Sequence, residues 1–133
     1  MTREITILAG IFTVSGVLHF VTPRTYEAIV PKQLPHKREL VLASGAAELA
    51  CAGLMLHPRT RRVGGLGSAV LLAAVFPANV QMTIDSARDR RKPWWFTLGT
   101  ILRLPLQAPM MRTALRAGRS QPALRPRAPR PHR

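Results

Sequence analysis

Four hydrophobic stretches divide this chain of 133 residues, and each is close to the length of a bilayer-spanning helix. They cover about residues 5–22, 40–56, 63–84 and 94–111, which is 17 to 22 residues each. A helix needs about 20 apolar residues to cross the hydrocarbon core of a membrane, and only helices and closed barrels satisfy their backbone groups there. The sequence therefore predicts an all-α, polytopic membrane protein built as a four-helix bundle.

A soluble four-helix bundle is the main alternative for such a pattern. Its helices would carry polar residues on their outward sides, whereas residues 66–76 (LGSAVLLAAVF) are apolar on all sides of a helix apart from the small Ser68. The fourth stretch is less regular, because Arg103, Pro105, Gln107 and Pro109 interrupt it. It is predicted to be a kinked span, and the alternative is a re-entrant or interfacial helix.

The charged residues lie mostly between the hydrophobic stretches and in the C-terminal segment. The chain has 20 Lys and Arg against 6 Asp and Glu, a formal net charge of +14. Aromatic residues are few and no nucleic-acid motif is present, so we expect no nucleic-acid partner. Anionic lipid headgroups are the expected partner of this charge. Residues 112–133 hold seven Arg and four Pro but no acid, which predicts a disordered basic tail after the bundle domain at residues 1–111.

The distribution of Lys and Arg also predicts the orientation. With four spans, both termini lie on one side, which carries 11 basic residues against 8 on the other. This bias favours both termini in the cytoplasm, although it reverses when the tail is left out. The first stretch lacks a small-x-small cleavage site and is therefore predicted to be an uncleaved span of a multi-pass membrane protein.

Two of the stretches carry opposite charges near their midpoints, Glu48 in the second and Arg103 in the fourth. An ionisable residue at this depth is costly in lipid and usually faces the bundle interior beside a partner, so we expect these two to pair. With a rise of ~1.5 Å per residue, the remaining polar residues fall on one side of the pair, toward the surface opposite the termini. These are His19, Ser44, Asn79, Thr97 and Thr100.

Helical spacing places these polar residues in single stripes on their helices. The stripes are Ser15 and His19; Ser44, Glu48 and Cys51; and Thr100, Arg103 and Gln107. The candidate ligand-binding residues are His19, Ser44, Glu48, Asn79, Thr100 and Arg103. No catalytic residue is assigned. No metal or haem site is expected, because there is no metal-ligand cluster and a single histidine lies within a stretch.

Each of these residues also has a purely structural interpretation. Glu48 and Arg103 could form an ion pair that only fixes the helix register. His19 could hydrogen-bond within the bundle, and Asn79 could cap a backbone carbonyl that a nearby proline leaves free. Cys51 is the single cysteine and is expected to be a packing residue, so no dithiol redox centre is indicated.

Several short motifs follow one another in an order that resembles the DoxX-like family of small bacterial integral membrane proteins. The resemblance covers about residues 5–111. It rests on Gly16-x-x-His19-Phe20, Pro23, Tyr26, Pro31-x-x-Leu34-Pro35, Ser44-Gly45-x-x-Glu48, Pro58-x-Thr60-Arg61-Arg62, Phe76-Pro77-Ala78-Asn79 and Arg103-Leu104-Pro105-Leu106-Gln107. It implies a four-helix bundle in a bacterial inner membrane. The family is named after a subunit of a thiosulfate:quinone oxidoreductase, so the resemblance also implies a link with membrane redox systems.

The expected function is that of an accessory subunit of a membrane redox system, without catalytic activity of its own, that holds a quinone-like or lipid-like molecule. His19 and Asn79 would hydrogen-bond the headgroup, and Arg103 would supply positive potential. Two alternatives stay open: a small proton-coupled transporter that uses Glu48 as its protonatable site, and a purely structural membrane partner protein. The expected partners are the lipid bilayer and either a membrane oxidoreductase or further copies of this chain. No cofactor is assigned, and quinone is the candidate.

Overall fold

The computed structural model describes residues 2–28, 30 and 32–119 of the chain. Within these residues the secondary structure is entirely helical, which confirms the predicted all-α class. The helices are α1 (Arg3–Val21), α2 (Pro23–Glu27), α3 (Lys37–Leu56), α4 (Arg61–Arg88) and α5 (Trp94–Arg119). The four long helices coincide with the four hydrophobic stretches, and the short α2 lies in the segment between the first two.

Three of these helices, α1, α3 and α4, are long and apolar enough to cross a membrane. Their outward side chains are apolar as well: Ile7, Val14 and Val70 are 53%, 62% and 69% exposed, as lipid contact would require. Helix α5 covers the fourth predicted stretch, but among the described helices it is not one that is apolar enough to count as a candidate span. The reason is its composition, since Arg103 and Gln107 lower the mean hydropathy of its central part.

Helix α5 (Trp94–Arg119) continues past Met111, after which the sequence predicted a disordered tail. Residues 112–119 of the predicted tail are therefore helical. Ala114 and Ala117 in these last turns are fully buried, because α5 approaches α4 closely there. A Cβ atom on Gly65 would lie 2.7 Å from the Ala114 carbonyl oxygen. The rest of the predicted tail, residues 120–133, lies outside the described residues.

The long helices pack in sequence, α1 on α3, α3 on α4 and α4 on α5, and α5 also contacts α1. The connection between α3 and α4 is short. Thr60 and Arg61 donate hydrogen bonds from it to the carbonyls of Leu54 and Met55, at 2.9 and 3.1 Å. Buried apolar residues gather at the end of the molecule where α1 begins and α5 ends, and they include Ile5, Leu8, Phe12, Met55, Ala69 and Ala114. The predicted polar site residues lie in the opposite half.

Candidate functional site

The site begins where α1 and α3 approach each other at two glycines. A Cβ atom on Gly16 would lie 2.9 Å from the Gly45 carbonyl oxygen, and one on Gly45 would lie 2.6 Å from the Cβ of His19. These distances are too short for a side chain at either position. His19 follows Gly16 by three residues and Glu48 follows Gly45 by three, so both polar residues lie one turn from the helix contact. The His19 Nδ1 atom is 3.6 Å from the Glu48 Oε2 atom.

His19 is buried, with 8% of its surface exposed. Residues close to it in sequence, in α1 and α2, fix the position of its ring. Its Nδ1 lies 2.7 Å from the Ser15 carbonyl oxygen. Because a carbonyl only accepts hydrogen bonds, Nδ1 carries the hydrogen. The imidazole stacks on the ring of Tyr26 from α2, with 3.8 Å between the ring centroids. No described residue hydrogen-bonds Nε2, so this atom is the free end of the ring.

The predicted ion pair between Glu48 and Arg103 is not formed. Within the described residues, the ion pairs shorter than 4.0 Å join Glu48 to His19 and Glu4 to Arg116. The helix order explains the difference, because α3 packs on α1 and α4, whereas Arg103 belongs to α5, which packs on α4 and α1. The Oε2 atom of Glu48 is buried and lacks a hydrogen-bond partner among the described residues.

Asn79 and Gln107 form a buried amide pair between α4 and α5. The Asn79 Nδ2 donates to the Gln107 Oε1 at 3.2 Å, and the Gln107 Nε2 donates to the Leu72 carbonyl. The Asn79 amide group thus donates to a side chain rather than capping a carbonyl freed by a proline. Both amide residues line a small space of about 70 Å³ that also borders Glu48 and Arg103.

A larger cavity of about 260 Å³ adjoins this small space. Five of the six predicted ligand-binding residues line it: His19, Ser44, Glu48, Asn79 and Arg103. We call it the polar cavity. The rest of its wall is largely apolar and includes Leu34, Leu40, Leu71 and Val75. Since one water needs only ~10–15 Å³, the polar side chains enclose room for a molecule much larger than a single water. Their role in binding stays a prediction.

Thr100, the sixth predicted residue, lies outside the polar cavity. Its hydroxyl donates to the Thr97 carbonyl at 2.7 Å, and its side chain lines a second cavity that shares Arg103 with the first.

Two residues near the site were missed by the sequence analysis. Gln107 is in the same helical stripe as Arg103, and this spacing could have identified it as a site residue. Tyr26 lies between the predicted spans, where helical periodicity gives no information on which residues it contacts.

Comparison with known proteins identifies a family without a known activity. No curated protein and no solved structure matches this chain. Among the described residues, no group of three or more His, Cys, Asp and Glu side chains could hold a metal ion. Residues 8–118 match the model of a domain of unknown function, DUF8561. This match includes every residue of the polar cavity and most of the chain, so the protein belongs to the DUF8561 family.

Proposed function

We propose that the polar cavity binds a small amphiphilic molecule, quinone-like or lipid-like, and that the chain is an accessory subunit of a membrane redox system. The observation that carries the proposal is the buried Glu48 Oε2, which has no hydrogen-bond partner among the described residues although Glu48 lines the cavity. The His19 Nδ1 atom, 3.6 Å away, is too far to donate a hydrogen bond to it, and a buried acceptor without a hydrogen bond costs ~1–3 kcal/mol. A ligand with a hydroxyl group would supply the missing hydrogen bond.

The cavity offers such a headgroup both acceptors and donors of hydrogen bonds. The Glu48 carboxylate accepts, and so does the His19 Nε2 when the hydrogen is on Nδ1. The Arg103 guanidinium only donates, and it adds positive potential beside a ligand oxygen. A quinone-like ring carries oxygen atoms at opposite ends. Its hydroquinone form can therefore donate to Glu48 or His19 at one end and accept from Arg103 at the other.

The apolar wall of the polar cavity suits the rest of such a ligand. Leu34, Leu40 and Val75 would contact the ring and the first part of a hydrocarbon tail. Helices α1, α3 and α4 present exposed apolar side chains around the cavity. A tail that leaves the cavity between these helices would enter lipid rather than water, which is the natural location of quinones and lipids.

We also propose that the chain has the four-span topology that the DoxX-like resemblance implies. Helix α5 would be the fourth span of the bundle, kinked at Pro105, with both termini in the cytoplasm of a bacterial cell. Single-cysteine labelling tests this orientation in a Cys51→Ala background. An impermeant reagent added to intact cells should label Arg90→Cys, in the α4–α5 connection, but not Thr2→Cys. The reverse labelling pattern contradicts the orientation.

Mass spectrometry of molecules that copurify with the protein in mild detergent tests the binding proposal. We expect a bound quinone or other amphiphile with the wild type and its loss from Glu48→Ala and His19→Ala. Ser68→Ala is the matched control, because the Ser68 hydroxyl is also buried but bonds the Gly64 carbonyl in the apolar half, at 2.7 Å. The proposal fails if all variants retain the molecule equally, or if the wild type holds none and is not stabilised by added quinone.

A proton-coupled transporter is the second candidate, and the contact between Glu48 and His19 favours it. A carboxylate and an imidazole 3.6 Å apart within a candidate span can pass a proton between them and a bound substrate. Reconstitution into vesicles with an internal pH-sensitive dye separates the candidates. Proton flux that Glu48→Gln abolishes indicates transport, and bound ligand without flux indicates the accessory subunit. The absence of both proton flux and bound ligand would indicate a structural partner protein.

A further inference from the structure

A second cavity, of about 420 Å³, lies beside the end of α4 and the beginning of α5. We call it the aromatic cavity, after the two aromatic side chains in its lining. The residues that matter here are Asp85, Lys92, Trp95, Phe96, Thr100 and Arg103. Of these, Arg103 alone also lines the polar cavity. The aromatic cavity therefore has its own set of charged groups and can be changed without touching Glu48 or His19.

Its charged groups leave a net positive charge. Lys92 and Arg103 face one carboxylate, Asp85, and neither cation has a carboxylate within 4.0 Å among the described residues. The Lys92 Nζ lies 4.9 Å from the centre of the Phe96 ring, a weak contact that an anion can replace. One oxygen of Asp85 accepts a hydrogen bond from Gln81 at 2.9 Å. A single negative charge would balance this set, and the second Asp85 oxygen can accept from a hydroxyl group.

The position of the aromatic cavity indicates where such an anion would come from. Helix α4 is a candidate span, and the cavity lies at its C-terminal end, next to the connection to α5. Trp95 is 62% exposed, and tryptophan in such a position is typical of the membrane–water interface. The end of the cavity at Lys92 and Trp95 would thus lie at the depth of lipid headgroups, and Arg103 borders the cavity from farther along α5.

We propose that the aromatic cavity binds the headgroup of an anionic phosphodiester lipid that carries hydroxyl groups. The phosphate would be held between Lys92 and the guanidinium of Arg103, which can donate two parallel hydrogen bonds to it. A headgroup hydroxyl would donate to Asp85, and the acyl chains would follow the apolar surface beside Trp95. The two cavities share Arg103, whereas Asp85 and Lys92 line the aromatic cavity alone, so variants of these two residues test this site without altering Glu48 or His19.

Native mass spectrometry of the full chain in detergent tests the site by titration with phosphatidylglycerol, with phosphatidylcholine and with inorganic phosphate. We expect one phosphatidylglycerol to bind in preference to phosphatidylcholine. The Lys92→Gln variant should weaken this binding about fivefold or more, since a basic residue near a headgroup contributes about that factor. Arg90→Gln is the matched control. It removes the same charge from the same connection, but Arg90 is exposed and does not line the cavity, so the affinity should stay within about twofold.

Asp85→Asn provides a second, opposite test that does not depend on a loss. This change keeps an oxygen that can accept from the headgroup hydroxyl and removes only the negative charge, so binding of the anionic lipid should strengthen, whereas a folding defect would weaken it. Equal losses in Lys92→Gln and Arg90→Gln would mean that surface charge alone attracts the lipid and would overturn the proposal. Equal binding of phosphatidylcholine overturns it as well. Displacement of the lipid by inorganic phosphate at matched concentration would show that free phosphate, and not a lipid, is the ligand.

Discussion

The Nδ1 atom of His19 lies 3.6 Å from the Oε2 atom of Glu48, and this contact connects α1 with α3 beside the close approach of Gly16 and Gly45. The spacing is the same in both helices, a glycine followed after three positions by an ionisable residue. The glycines let the backbones come together, and the polar side chains one turn away then reach each other. The same local arrangement thus positions two helices and forms one wall of the polar cavity.

His19 and Glu48 should be more strongly coupled in energy than Glu48 and Arg103, which border the same cavity without forming an ion pair. In a double-mutant cycle with His19→Gln and Glu48→Gln, we expect a coupling energy of ~1 kcal/mol, as for other residues in contact. The cycle with Glu48→Gln and Arg103→Gln should give a smaller coupling energy, because these two charges interact only across the cavity and not in an ion pair. The measured quantity is the free energy of unfolding in detergent. A larger coupling for the pair with Arg103 would restore the ion pair predicted from the sequence.

Tyr26 should stabilise the site through its ring and not through its hydroxyl. The ring stacks on His19 at 3.8 Å, and aromatic pairs contribute ~0.5–1.5 kcal/mol beyond the area that they bury. Tyr26→Phe should therefore leave the unfolding free energy unchanged. Tyr26→Ala should lower it by at least ~0.5–1.5 kcal/mol and also weaken ligand retention, because His19 loses its support. Equal losses in the two variants would point to the hydroxyl instead.

Several features of the site could be predicted because they depend on position within one helix. The depth of each residue along its helix and its position around the helix predicted a common polar site. Five of the predicted residues do line one cavity: His19, Ser44, Glu48, Asn79 and Arg103. The partner of Glu48 depends on which helices are neighbours. No single stretch of sequence contains that information, so the midpoint charges suggested Arg103 where the structure has His19.

The helical conformation of residues 112–119 was missed for a different reason. Composition averaged over residues 112–133 is dominated by Arg and Pro, and it hides the four-residue spacing of Ala114 and Gly118. In the structure these small residues pack against α4, and helix α5 reaches Arg119. The short pattern, rather than the average composition, indicates that residues 112–119 belong to α5.

The amide pair of Asn79 and Gln107 should be a main source of cohesion between α4 and α5. In Gln107→Leu, the buried Asn79 amide loses its partner, so we expect a loss of ~1–3 kcal/mol in unfolding free energy. Adding Asn79→Leu should recover part of this loss, because both polar partners are then removed. Gln81→Leu is the control. Its hydrogen bond to Asp85 is exposed, and the change should stay within ~0.5 kcal/mol. Strictly additive losses would argue against the pair.

The close packing of α4 on the last turns of α5 should make Gly65 intolerant even of alanine. A Cβ atom at this position would lie 2.7 Å from the Ala114 carbonyl oxygen and from the Ala117 carbonyl carbon. Both are backbone atoms, so they cannot move aside unless the helices separate. Overpacking of this kind costs ~1–3 kcal/mol, and we expect Gly65→Ala to lower the unfolding free energy by that amount.

Gly53→Ala is the matched control, since no atom lies within 4 Å of a Cβ there. Alanine forms helices better than glycine by up to ~1 kcal/mol, so the control should be neutral or slightly more stable. If Gly65→Ala behaves like the control, α5 does not pack on α4 beyond Met111, and the helical domain ends where its composition suggested.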